Sequence, residues 1–280
     1  MRRYAKRMTA DSVSDNAEQV ARTAESSRTF QMLARAGYAV NGLLHVMIGA
    51  IAISVAMGAD EGSADQSGAL GQLARTPGGV FVLWTVVLGL ASLGLWYLVQ
   101  AFLVPARDPK RKWAHRVVLI GKGVVFLFIA GTAFTFARGA SSSSSETASD
   151  STAMLLSIPG GVVLLFIAGL VVVVIGGVFV HRGATHGFTD KITVPRGPTG
   201  TVVVTLGTVG YIAEGIALAT VGILFTLAAF TLDPDKATGM DGALKSLVAL
   251  PFGAPILVLV GAGLIAYGVY CFARARLARL

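Results

Sequence analysis

Residues 160–180 read Gly-Gly-Val-Val-Leu-Leu-Phe-Ile-Ala-Gly-Leu-Val-Val-Val-Val-Ile-Gly-Gly-Val-Phe-Val, without a single charge. About 20 apolar residues in helical form cross the ~30 Å hydrocarbon core of a bilayer. Backbone groups inside that core must pair within their own segment, so a run of this kind is a helix. Five more apolar runs flank it, at residues 38–58, 79–104, 117–137, 202–232 and 254–272. The run at 202–232 exceeds what a span needs, which predicts tilt or an extension beyond the bilayer.

Composition agrees with this reading. Of 280 residues, 54% are hydrophobic and only 14% charged, against about 25% charged in soluble domains. The formal net charge is +8, but the cations stand between apolar runs. They therefore read as membrane-orienting charge, and no nucleic-acid partner is expected. Eighteen of the 23 lysines and arginines fall in the N-terminal tail to Arg35, the loop from Pro105 to Arg116, the loop after the fourth run and the C-terminus. The three other loops carry only Arg75, Arg138, Lys236 and Lys245, and are otherwise acidic or neutral. That alternation predicts both termini in the cytoplasm. Trp113, Trp96, Tyr97, Tyr267 and Tyr270 are expected at headgroup depth on the same side.

The tail, residues 1–32, is polar and lacks the apolar core of a signal peptide, and 17–30 could form a weak juxtamembrane helix. Ser141 to Ser145 read as a solvated, mobile linker. The one cysteine, Cys271, reads as a packing residue.

The chain also repeats itself. Gly37-Tyr38-Ala39-Val40-Asn41-Gly42 returns as Gly210-Tyr211-Ile212-Ala213-Glu214-Gly215, and Lys122-Gly123 stands at the matching place between them. Arg35 and Arg116 each fall six residues before this polar position. Pro77-Gly78-Gly79, Pro159-Gly160-Gly161 and Pro251-Phe252-Gly253 each open a returning helix, with Gly94, Gly176 and Gly268 seventeen residues after the prolines. Leu73, Leu155 and Leu247 each precede their proline by four residues, and Gly68-Ala69-Leu70 recurs as Gly242-Ala243-Leu244. The expected fold is all-α: six transmembrane helices in three tandem helical hairpins, at 33–104, 113–182 and 202–277. Each hairpin starts and ends on one side, so the copies are parallel and pseudo-threefold.

These residues resemble the domain of unknown function 1206 family, over about 33–277. Repeats one and three carry the pattern well. Repeat two has Val118-Leu119 in place of Gly-Tyr and a serine tract in place of Gly-Ala-Leu. The resemblance implies a bacterial plasma-membrane protein and no established activity, so it transfers no functional residue.

Candidate chemistry concentrates at the repeated polar position. Pseudo-threefold symmetry brings Asn41, Lys122 and Glu214 to equivalent sites, about 9 Å along the helix from the Arg35/Arg116 level. A lone charge in hydrocarbon costs about 2.5–3.5 kcal/mol on insertion scales. Lys122 and Glu214 are therefore expected to approach each other, with Asn41 hydrogen-bonding nearby. Tyr38, Asn41 and His45 share one helix face, and Tyr211 repeats Tyr38 three residues before Glu214. Histidine titrates near neutral pH, so this face could relay protons beside Glu214. Two readings stand: polar glue between hairpins, or a site for a proton, ion or small solute.

No nucleophile with a base, phosphate-cradling glycine loop, paired carboxylates or metal-ligand spacing is visible. His181 and His186, five apart in a glycine-rich loop, suit no metal. No catalytic, cofactor or metal residue is expected. The expected function is a non-enzymatic structural or accessory membrane component, with the bilayer and other membrane proteins as partners. The alternative is a small channel or proton-coupled transporter.

Overall fold

The computed structural model describes residues 28–59, 62–103 and 109–278. Most of the tail lies outside the described residues, as does the expected 17–30 helix except for residues 28–30, which open the first described helix. Among the described residues nine α-helices follow in order: α1 Arg28–Ala56, α2 Gln66–Arg75, α3 Gly79–Leu103, α4 Pro109–Ala137, α5 Ser144–Leu156, α6 Gly161–Ala184, α7 Pro198–Thr231, α8 Gly239–Val248 and α9 Gly253–Leu277. Six of them, α1, α3, α4, α6, α7 and α9, are long and apolar enough to cross a membrane. Each repeat is thus a span, a short helix and a returning span. An even number of spans leaves both termini on one side, called here the terminal side; the short helices occupy the loop side.

Prolines 77, 159 and 251 stand in the turn before each returning helix rather than at its first position. Gly78 and Gly160 adopt left-handed φ values of 77° and 80° there, as the turn demands. The third repeat places Phe252 in that conformation at 61°.

The spans form an arc that is open between α4 and α6. The extensive contacts run between successive repeats, α3 on α4, α6 on α7, and α9 back onto α1. Glycine makes them possible. A Cβ built on Gly42 would lie 2.6 Å from Gly268 O, and one on Gly268 would lie 2.5 Å from Gly42 O. Gly176 and Gly215 repeat this reciprocal crossing at 2.6 Å each way, Gly94 and Gly123 at 3.0 Å. The residue after each polar position therefore packs against the glycine seventeen residues beyond a proline. Close backbone approach through small residues is how helices associate where lipid offers no hydrophobic drive.

Contacts within repeats are less even. In the first and third, α1 packs on α3 and α7 on α9, with Gly37 against Gly89 and Leu93, and Gly210 against Tyr267. In the second, α4 and α6 form no comparable interface. The positions equivalent to Gly37 and Gly89 are Val118 and Val171, both about half exposed (54% and 51%). Branched side chains at those two places hold the spans of repeat two apart.

The serine tract is a correction to the sequence reading. Ser143 caps α5, its side chain accepting from Glu146 N at 3.2 Å, so the mobile linker is instead a Ser-x-x-Glu helix start. Ser145 Oγ donates to Thr238 O at 2.9 Å, and Ser67 Oγ accepts from Ser144 N at 3.2 Å. These bonds tie the short helices of all three repeats together. Beneath them Asp65 caps α2, its Oδ1 accepting from Gly68 N at 2.9 Å and Ser67 Oγ at 2.6 Å, while Oδ2 is buried without a partner. Asp241 accepts from Ala64 N at 2.6 Å and Lys245 Nζ at 2.9 Å. Burial, with Asp241 close by, raises the Asp65 carboxyl above its usual range against the pull of the Ser67 and Gly68 bonds.

Two predictions arise. Gly176→Ala should lower the thermal midpoint in detergent by overpacking the α6–α7 crossing, a cost of about 1–3 kcal/mol. Gly177→Ala, one residue on with open space around it, should leave the midpoint unchanged or higher. The second concerns pH. The folded state favours protonated Asp65, so the stabilisation is full below the unfolded pKa of about 3.9 and is lost as pH rises through the higher folded pKa. Asp65→Asn keeps the cap without the charge. It should melt above wild type at pH 8, with the gap closing as pH falls toward about 4.

Candidate functional site

Three span helices supply the interior polar residues. On α1, Tyr38, Asn41 and His45 lie on one face. On α7, Tyr211 and Glu214 face inward. On α9, Tyr267, Tyr270, Cys271 and Arg274 follow the i, i+3, i+4, i+7 pattern of a single stripe. Because α9 packs on both α1 and α7, the three faces converge. His45 and Glu214 are both 8% exposed, and His45 Nε2 lies 3.4 Å from Glu214 Oε2. Tyr267 packs edge-on against the imidazole at 4.9 Å. Asn41 reaches across to α9, Nδ2 donating to Cys271 Sγ at 3.7 Å.

The partners of the imidazole fix its protons. His45 Nδ1 sits 2.8 Å from the carbonyl oxygen of Asn41. A carbonyl only accepts, so Nδ1 carries a hydrogen. A neutral imidazole then has an unprotonated Nε2, and two acceptors would face each other at 3.4 Å. Oε2 of Glu214 is buried and makes no well-directed hydrogen bond, so nothing else relieves that opposition. One further proton, on Nε2 or on the carboxyl, turns the repulsion into attraction. The contact is thus a one-proton site in the interior of the bundle.

Lys122 does not join it. The expected Lys122–Glu214 pair is absent: among the described residues the carboxylate is within ion-pair reach of His45 alone. Lys122 is on α4, which packs on α3, and its Nζ lies 5.4 Å from the Tyr97 ring centre. The pairing fails because the polar position opens onto the crossing with the preceding repeat. Lys122 therefore faces α3 rather than the α1–α9–α7 centre.

Between the two stands Arg274. Its guanidinium lies 4.5 Å from the Tyr38 ring centre, and Nη2 donates to Tyr38 Oη at 3.5 Å. Tyr38 Oη in turn is 3.1 Å from Tyr97 Oη. Tyr211 stacks on Phe188 at 5.0 Å and meets Tyr267 edge-on at 5.3 Å. A continuous polar and aromatic layer so runs from Lys122 through Tyr97, Tyr38 and Arg274 to the tyrosines beside Glu214.

Several members of this layer belong elsewhere on sequence grounds. Trp96, Tyr97, Tyr267 and Tyr270 are at most 7% exposed and fill the interior; they form no headgroup belt. Trp113, 70% exposed, keeps an outward position. Arg274 counts in sequence as one more orienting cation, although Arg182 stands at the equivalent place, 23 residues after its proline. Phe188, in the polar loop after α6, had no signal. It is 2% exposed and inserts between Tyr211 and Tyr270 on the terminal side. His181 lies in the last turn of α6 and His186 in the loop after it, both exposed.

The model of the family described as Domain of Unknown Function (DUF1206) matches the chain three times, over residues 36–103, 117–186 and 209–278. The chain is similar to the uncharacterized protein YxxB of Bacillus subtilis (strain 168), 29% identical over 250 residues, covering 88% of this chain and 90% of that protein. No solved structure matches it.

Proposed function

We infer that this chain, which belongs to the DUF1206 family, is a non-enzymatic multi-pass membrane protein that couples proton binding to passage of an ion or small solute. One observation carries the reading. The Asn41 carbonyl holds the Nδ1 hydrogen of His45, so the His45–Glu214 contact of 3.4 Å requires one more proton. Ionisable groups inside a span are expensive and mark ion or proton pathways more often than packing. A histidine beside a carboxylate can bind and release that proton. Tyr38, Tyr211, Asn41 and Tyr267 supply hydroxyl and amide groups around it. Lys122 adds a cation to the same polar layer.

The cation bias between loops supports cytoplasmic termini, and the Bacillus relative supports a bacterial plasma membrane. The layer then lies in the cytoplasmic half of the span, with Phe188 packed at its cytoplasmic end. A second reading, an accessory component that binds another membrane protein, draws on the parted spans of repeat two, whose facing apolar sides have no partner among the described residues.

Reconstitution in liposomes with an internal pH-sensitive dye tests the first reading. With a panel of inorganic ions and small metabolites outside, wild type should show solute-dependent proton movement. Glu214→Gln and His45→Gln should each reduce it to the rate of protein-free liposomes. Wild type that moves no protons with any solute or imposed gradient would contradict the reading.

A further inference from the structure

Lys122 is mostly buried, and Arg274, Arg182 and Lys191 are the charges that act on it. All are cations. Among the described residues no carboxylate lies within ion-pair distance of any of the four, and Glu214 is engaged with His45. Arg274 Nε is buried without a partner, and its nearest polar neighbours are neutral tyrosine hydroxyls. Arg182 and Lys191 are exposed, but Lys122 and Arg274 lie in span helices, where an uncompensated charge is costly. Among the described residues no side chain supplies a counter-ion, and an anion from outside would.

The fold also shows where that anion enters. Lys122 is on α4 and Arg182 near the end of α6, the two spans that do not pack together. Only 22% and 17% of the most apolar windows of α4 and α6 are buried, against 44–50% in the other four spans. Val118 and Val171, on these two spans, are about half exposed. The opening is thus lined by apolar side chains along the bilayer and by cations at its terminal-side end. A molecule with acyl chains and an anionic head matches both halves, and basic pockets between spans are known recognition sites for such heads.

We propose that the parted spans of repeat two bind an anionic phospholipid of the terminal-side leaflet. Its phosphate sits between Lys122 and Arg182, backed by Arg274, and its chains lie along α4 and α6. The site is separate from the His45–Glu214 contact and does not depend on the proton reading. It also accounts for why repeat two departs from the other two. Repeats one and three keep the glycines that close their hairpins, whereas repeat two has valines there and a lysine at the polar position.

Native mass spectrometry of the full chain, delipidated in mild detergent, tests this. Phosphatidylglycerol and phosphatidylcholine of equal chain length are added separately, with inorganic phosphate as a third arm. Phosphatidylglycerol should be retained in preference to phosphatidylcholine. Lys122→Gln should weaken it about fivefold or more, as for one cation lost at an anionic surface, while Arg75→Gln on the loop side should not. Lys122→Arg should keep the binding, which separates lost charge from misfolding. Equal retention of the two lipids, or wild-type binding by a folded Lys122→Gln, would overturn the proposal. So would displacement by millimolar inorganic phosphate, which would make the anion a soluble one, or a tightly held protein on α4 and α6 that excludes the lipid.

Discussion

Backbone-to-backbone approach at Gly42 with Gly268, Gly94 with Gly123, and Gly176 with Gly215 determines how the six spans meet. Lipid is as apolar as leucine, so apolar side chains alone give no reason for helices to associate in it. Close contact does, and a side chain at any of these glycines would collide with the facing helix. Because the same pair recurs at each junction between repeats, α9 of the last repeat returns to α1 of the first, in an arc left open between α4 and α6. That return seats α9 between α1 and α7, and the polar stripe of α9 then has partners on both sides.

The interior chemistry follows from that seating. His45 meets Glu214 because α1 and α7 both pack on α9. Arg274 is kept among tyrosine rings and hydroxyls, a neutral surrounding that holds a cation without cancelling it. Repeat two keeps the glycine crossings at its outer junctions but has no such contact within itself. Its valines leave α4 and α6 facing lipid, and its lysine faces α3. The pseudo-threefold frame therefore carries two unlike polar places, an acid–imidazole contact at the centre and a cation group beside the open hairpin.

Most of the frame was legible in sequence. Run length placed all six spans, although α1 begins ten residues and α4 eight residues before its apolar run, and the proline and glycine landmarks marked the repeat. The glycines at the polar position and at proline plus seventeen were visible, but that they touch each other was not. A repeat pattern identifies equivalent positions; it does not say which face each position turns to. This is why Lys122 and Glu214 were paired on charge grounds and are not paired in space. The short helices were missed because composition overshadowed a Ser-x-x-Glu start in the serine tract. Tyr97, Tyr267, Tyr270 and Arg274 were read from their depth in the bilayer. Depth is the same whether a ring faces lipid or the bundle.

The claim most exposed to test is that the seating of α9 between α1 and α7 gives Glu214 to His45 and not to Lys122. Solid-state NMR in lipid bilayers can measure it, with dipolar recoupling from the Glu214 side-chain carboxyl carbon to nitrogen-15 in histidine and lysine side chains. The account predicts a strong contact to a His45 ring nitrogen, consistent with a 3.4 Å Nε2–Oε2 separation, and none to Lys122 Nζ. A contact from Glu214 to Lys122, with His45 silent, would contradict it.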